Sequence, residues 1–210
     1  MTRTSLGSRD IVDFTLDTYE GWHPVTLIGE PGAETWAADL VAGFQVPEAL
    51  ASSLLEQLGT VQKVLHEDDP TGATRARVFL PYPEAGVVNA ILTYQLIWLE
   101  TDDSPESFQA DVDAHANDRA PGYEIRGFES WRAPHHEGEL VGFTHLTATS
   151  TPEETEALLE QRVVFAIFPV GAAQMFQLVF RSVFLGGFGD MVTETQAIAD
   201  SLRVTLGVAA

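Results

Sequence analysis

Two apolar segments set close together near the carboxyl end constrain this chain most. VVFAIFPV (Val163–Val170) and MFQLVFRSVF (Met175–Phe184) are separated only by a short stretch around Gly171–Ala173. In the second, Phe176, Leu178, Phe180 and Phe184 fall on one side and Gln177 and Arg181 on the other, the period of a strand with one buried face. The first has no polar break, which fits a strand covered on both faces or central in its sheet. Pro169 has no N–H to donate, so pairing should weaken toward the turn. The shortness of that turn predicts antiparallel neighbours. Beyond Gly186, Gly187 and Gly189 the period becomes helical through Phe188, Val192, Thr195, Ala199 and Leu202, with Asp190 placed as the N-cap. We expect this helix to lie across the hairpin.

The remaining chain supplies further elements of both kinds. FTLDTYEGWHPVTLIG (Phe14–Gly29) reads as one or two extended segments anchored by Trp22. Trp36, Leu40 and Phe44 mark a first helix. Leu50, Leu54, Leu58, Val61 and Leu65 stripe a longer second one, which Gly59 could interrupt. RARVFLPYP, stopped by Pro81 and Pro83, reads as an edge strand. VVNAILTYQLIWLE is a long strand, and Ser104-Pro105-Glu106 has the composition of a helix start. That helix should carry Phe108, Val112 and a partly buried His115 on one side and end at Pro121-Gly122. YEIRGFESWRA and ELVGFTHLTAT are two more strands, joined by PHHEG. Thr151-Pro152-Glu153-Glu154 has capping-box spacing. Short connections between successive strands predict an α+β fold, a mostly antiparallel β-sheet with helices packed on it. Residues 1–10 are expected to be a flexible tail, and 11–210 one domain.

In this order of elements the chain resembles the PsbP-like superfamily, which includes Ran-release-factor-like proteins and actinobacterial lipoproteins of the LpqN type. The residues that carry the resemblance are Gly21-Trp22 at the end of the extended stretch, the strand–turn–strand, and IADSLRV (Ile198–Val204). Thr18-Tyr19-Glu20 stands before Gly21-Trp22, where that family would have a proline. The resemblance implies an α/β/α sandwich acting as a binding or assembly domain. It brings over no catalytic residue.

Several chemistries are excluded by composition. With no cysteine, thiol catalysis, disulfides and cysteine zinc sites are all absent. The net charge of -20, from 11 basic and 31 acidic residues, repels nucleic acid and anionic membranes. Lys63, the only lysine, lies in VQKVL, so no phosphate-binding Gly-Lys-Ser/Thr loop exists. Neither a G-x-S-x-G elbow nor an H-E-x-x-H helix occurs. No apolar run reaches the ~20 residues that span a bilayer. MTRTSLGSRD has no apolar segment like that of a secretory leader, so a soluble cytoplasmic protein is expected.

Three local patterns invite a ligand. GGFGDMV (Gly186–Val192) sits between strand and helix like a dinucleotide loop. It has Val192 at the third glycine position, and Asp190 where a pyrophosphate needs donors. DVDAHAND (Asp111–Asp118) opens like a calcium loop but has Ala116 in place of the turn glycine and Gly122 in place of the closing glutamate. His135, His136 and Glu137, with Glu139 nearby, form the densest group of metal-ligand types, and Asp111 or His115 could add a third arm. We therefore expect a non-enzymatic domain, without cofactor, that docks a protein partner or small molecule between sheet and helices. The alternatives are a metal-dependent hydrolase centred on His135, His136 and nearby carboxylates, and a homodimer joined through a sheet face or edge.

Overall fold

The computed structural model describes residues 8–116, 119–120, 122–150 and 157–208. It is an α+β fold of mostly antiparallel strands with helices packed on them, as the patterning predicts. The chain forms two compact units. One comprises residues 19–95, and the other the residues before and after it.

In the unit of residues 19–95, β2 (Trp22–Pro24), β3 (Arg75–Phe79) and β4 (Ala90–Trp98, whose last residues belong to the other unit) pair antiparallel in the order β2-β3-β4. β3 therefore has a partner on each side, and the edge predicted from Pro81 and Pro83 is corrected. Those prolines lie beyond its last residue and remove no ladder donor. Helices α1 (Trp36–Ala42) and α2 (Glu48–Asp68) pack on one another. Leu54, Leu58, Val61 and Leu65 of the predicted stripe are buried with Val25, Leu27, Trp36, Ala76 and Val78. Gly59 lies inside α2 without breaking it. Two buried polar groups are satisfied within this core: Trp36 Nε1 donates to the Pro24 carbonyl at 2.8 Å, and Gln62 Nε2 donates to Thr26 and Ala33.

The other unit contains the predicted hairpin. β8 (Leu158–Pro169) and β9 (Gln174–Ser182) are antiparallel, with Phe165 opposite Leu178 and Ile167 opposite Phe176. β6 (Tyr123–His135) and β7 (Gly138–Thr149) form a second long hairpin, and the strand order is β9-β8-β7-β6-β5, with β5 the short strand Arg119–Ala120. α3 (Pro105–Ala114) packs on β6 and β7, and α4 (Met191–Ala199) on β8. Asp190 caps α4 as predicted, its carboxylate accepting from the Val192 and Thr193 N–H groups.

Two features were not foreseen. IADSLRV is split: α4 ends at Ala199, and Arg203–Leu206 is a strand, β10, that pairs with β1 (Ile11–Thr15) as a two-stranded ribbon. The expected N-terminal tail is partly built in, since Arg9 bridges to Ala172 with hydrogen bonds in both directions. The capping-box pattern at Thr151–Glu154 and residues 117, 118 and 121 lie outside the described residues.

Candidate functional site

Strand alternation gives the sheet of β6–β9 two faces. Residues directly opposite in an antiparallel pair share a face. Phe165 and Ile167 of β8 therefore lie with Leu178 and Phe176 of β9, and all four are fully buried. The opposite face carries Val141, Phe143, His145 and Thr147 of β7 and Phe168, Ala166, Val164 and Arg162 of β8. Its apolar end is covered. Val141, Ala166, Phe168 and Met175 form a cluster against which Phe108 of α3 packs, with the Phe108 and Phe168 rings 5.8 Å apart.

Farther along that face the cover is incomplete. α3 buries none of its residues fully. Polar contacts hold its flank: Arg132 pairs with Glu106 at 2.6 Å, Gln109 Nε2 donates to Ser130 Oγ, and Ser130 Oγ donates to Asp113 at 2.6 Å. Between helix and strands is a cleft of about 320 Å³ lined by Phe108, Val112, Ile125, Phe128, Phe143 and His145, with Asp111 and His115 also in its wall. Phe128 reaches it through an irregularity of β6. The register slips between Arg126 and Glu129, and Gly127 at φ 58° takes a backbone angle that side chains disfavour. The rings of Phe128, Phe143 and His145 lie near-parallel, with centroids 6.0–6.3 Å apart.

His145 is the unusual member. It is 8% exposed, and neither ring nitrogen has a hydrogen-bond partner; nor does Thr147 Oγ1, two residues along the same face. Buried polar groups are almost always paired, and leaving one unpaired costs about 1–3 kcal/mol. Burial first, and the nearby Arg162 guanidinium second, push the His145 pKa below its ordinary value, with Glu160 opposing. The ring is therefore neutral, offering one donor and one acceptor to whatever enters.

The sequence-predicted group is brought together by the β6–β7 turn but is otherwise engaged. His135 Nε2 donates to the Ala199 carbonyl at 3.3 Å, and its Nδ1 accepts from the Glu137 N–H. His136 Nε2 donates to the Leu202 carbonyl at 2.6 Å, and the Arg203 guanidinium lies against the same ring. Glu137 Oε1 accepts from the Val204 N–H at 3.4 Å. These side chains clasp the turn to the end of α4 and the start of β10. Glu139 pairs instead with Arg132. Among the described residues no group of three or more His, Asp or Glu side chains could hold a metal ion.

The other predicted patterns are also accounted for locally. His115 is an exposed C-cap of α3, its Nδ1 donating to the Asp111 carbonyl at 2.7 Å, and is not the partly buried residue expected. At the glycine turn, Glu194 accepts from the Gly189 and Asp190 N–H groups, so with Asp190 the chain's own carboxylates take up the donors a phosphate would need. The sequence reading missed Phe128, Phe143 and His145 as a set. The available signal was the alternation Phe143-Thr144-His145-Leu146-Thr147, which sets a histidine and a threonine on the same side as a phenylalanine. Compared with known proteins, the chain matches no family model and no curated sequence.

Proposed function

We propose that this chain is a non-enzymatic binding domain that takes a small, largely apolar molecule into the cleft beneath α3. One observation carries the reading: an aromatic cleft of ligand size contains a buried histidine whose two nitrogens lack partners. Ligand sites are concave and mostly apolar, with few polar groups to fix orientation. The resemblance to PsbP-like domains, which act by docking on other molecules, supports the same class of role. A cytoplasmic setting is part of this proposal.

The rival reading, a metal-dependent hydrolase at His135 and His136, finds no comparable support. A metal there would have to displace the hydrogen bonds that tie the turn to α4 and β10. The test uses 1-naphthamide, an uncharged planar probe, titrated against isotope-labelled protein. Resonance shifts should centre on Phe128, Phe143 and His145, and Val112→Trp, which fills the cleft, should abolish them. Shifts elsewhere, or none, would sink the proposal.

A further inference from the structure

The cleft beneath α3 has polar groups at two depths in an otherwise apolar lining. At the buried end is His145, 8% exposed, with neither ring nitrogen partnered. On the exposed side is Asp111 of α3. Among the described residues its carboxylate makes no hydrogen bond or ion pair. Only its backbone carbonyl is engaged, by His115 Nδ1. The arginines of β6 and β8 are already matched: Arg126 pairs with Glu124, Arg132 with Glu106 and Glu139, and Arg162 with Glu160. Asp111 is therefore an unmatched charge in the lining, and its sign is that of the whole chain, with 11 basic residues against 31 acidic ones. A cleft of one sign concentrates ligands of the other, so a cation is favoured at the mouth and a neutral polar group at the buried end.

We propose that the cleft's ligand is a small hydroxyaryl alkylamine. Its ring lies among Phe108, Phe128 and Phe143, its hydroxyl meets His145, and its ammonium meets Asp111. The inference rests on the binding reading above and deepens it. A hydroxyl suits a neutral imidazole in either tautomer, since it can donate to the bare nitrogen or accept from the protonated one. The phenylalanine rings take up the aryl group by offset or edge contacts. The ammonium sits at an exposed position, where an ion pair adds about threefold to fivefold in affinity and weakens with salt. The hydroxyl contact should add more, about tenfold, because without it a buried histidine stays unpaired.

The probes are tyramine, 4-propylphenol, which has a methyl in place of the ammonium, and phenethylamine, which lacks the hydroxyl. They are titrated calorimetrically against the full chain at low, constant ionic strength. Tyramine should bind about threefold to fivefold more tightly than 4-propylphenol and about tenfold more tightly than phenethylamine. Asp111→Asn should erase the first preference and keep the second, and His145→Phe should erase the second and keep the first. Each variant thus controls for the folding of the other. Val112→Trp should abolish binding of all three, which separates the cleft from general attraction of amines to an acidic surface. A preference over 4-propylphenol that is absent, or that survives Asp111→Asn, overturns the amine assignment. A preference over phenethylamine that is absent, or that survives His145→Phe, overturns the hydroxyl assignment. If 1-naphthamide binds and these three do not, the proposal fails and the cleft reading stands; if none of the four binds, both fail.

Discussion

Replacing His145 by phenylalanine would remove two buried nitrogens without partners and keep a ring of similar size beside Phe143 and Phe128. Stability should rise by on the order of 1–3 kcal/mol, while 1-naphthamide binding weakens, a trade of function for stability. Thermal melts and titration of the same variant check both halves, and a destabilised variant would show that His145 has partners the structure lacks. The same residue contributes to pH dependence. His23, His135 and His145 all have pKa values below the ordinary 6.5, each mainly through burial. The unfolded chain then takes up protons first as pH falls. Stability should be complete above about pH 7.5, where all three rings are neutral in both states, and decline as pH falls through the unfolded value of about 6.5. His145→Phe should make that decline shallower between pH 7.5 and 5.0. An unchanged slope would mean that the ring is not held neutral. Gly142 shows the opposite constraint. A Cβ there would meet the Trp131 ring at 2.3 Å, so Gly142→Ala should cost about 1–3 kcal/mol by overpacking, read from chemical denaturation.

Among the elements, the helices separate intrinsic propensity from packing. Gly59 lies in the middle of α2, exposed, and a Cβ added there meets nothing within 4 Å. Gly59→Ala should therefore stabilise by about 0.5–1 kcal/mol, and a loss would reveal a close neighbour that the geometry does not show. α3 is held differently. Ser104 and Ser107 form a reciprocal cap at its start, and Ser104→Ala should cost about 1 kcal/mol and raise hydrogen exchange along 105–114. The long elements were legible because their periods run for many residues. Leu54 to Leu65 recur at helical spacing, and Phe176 to Phe180 alternate. β10 was not legible because Leu202 continues the helical count past Ala199, and only pairing with β1 makes Arg203–Leu206 extended. The cleft was hidden for a similar reason. His145 looks ordinary within its own strand, and its isolation appears only when Arg162, Phe128 and α3 are placed around it. His135 and His136, conspicuous as neighbours in sequence, turn out to reach for carbonyls more than sixty residues away.

At the scale of the whole molecule, each compact unit buries its own apolar set, Leu54, Leu58 and Val78 in one and Phe165, Phe176 and Leu178 in the other. The charge of -20 acts on the entire chain as self-repulsion, which salt screens. Raising sodium chloride from low to moderate concentration should stabilise the fold by about 1 kcal/mol, a shift of ~2–4 °C for a chain of this size. A melting point that falls with salt would show that attractive ion pairs outweigh the repulsion. The ribbon of β1 and β10 has a separate consequence. Ile11 pairs with Leu206, and the Gly207 N–H donates to the Asp10 carbonyl at 2.8 Å. Residues 10 and 207 therefore stand side by side, and a few glycines would bridge them. A circular permutant joined there and reopened at the exposed turn of Thr101–Asp103 should fold to the same structure, because the new covalent link only fastens what the ribbon already holds together.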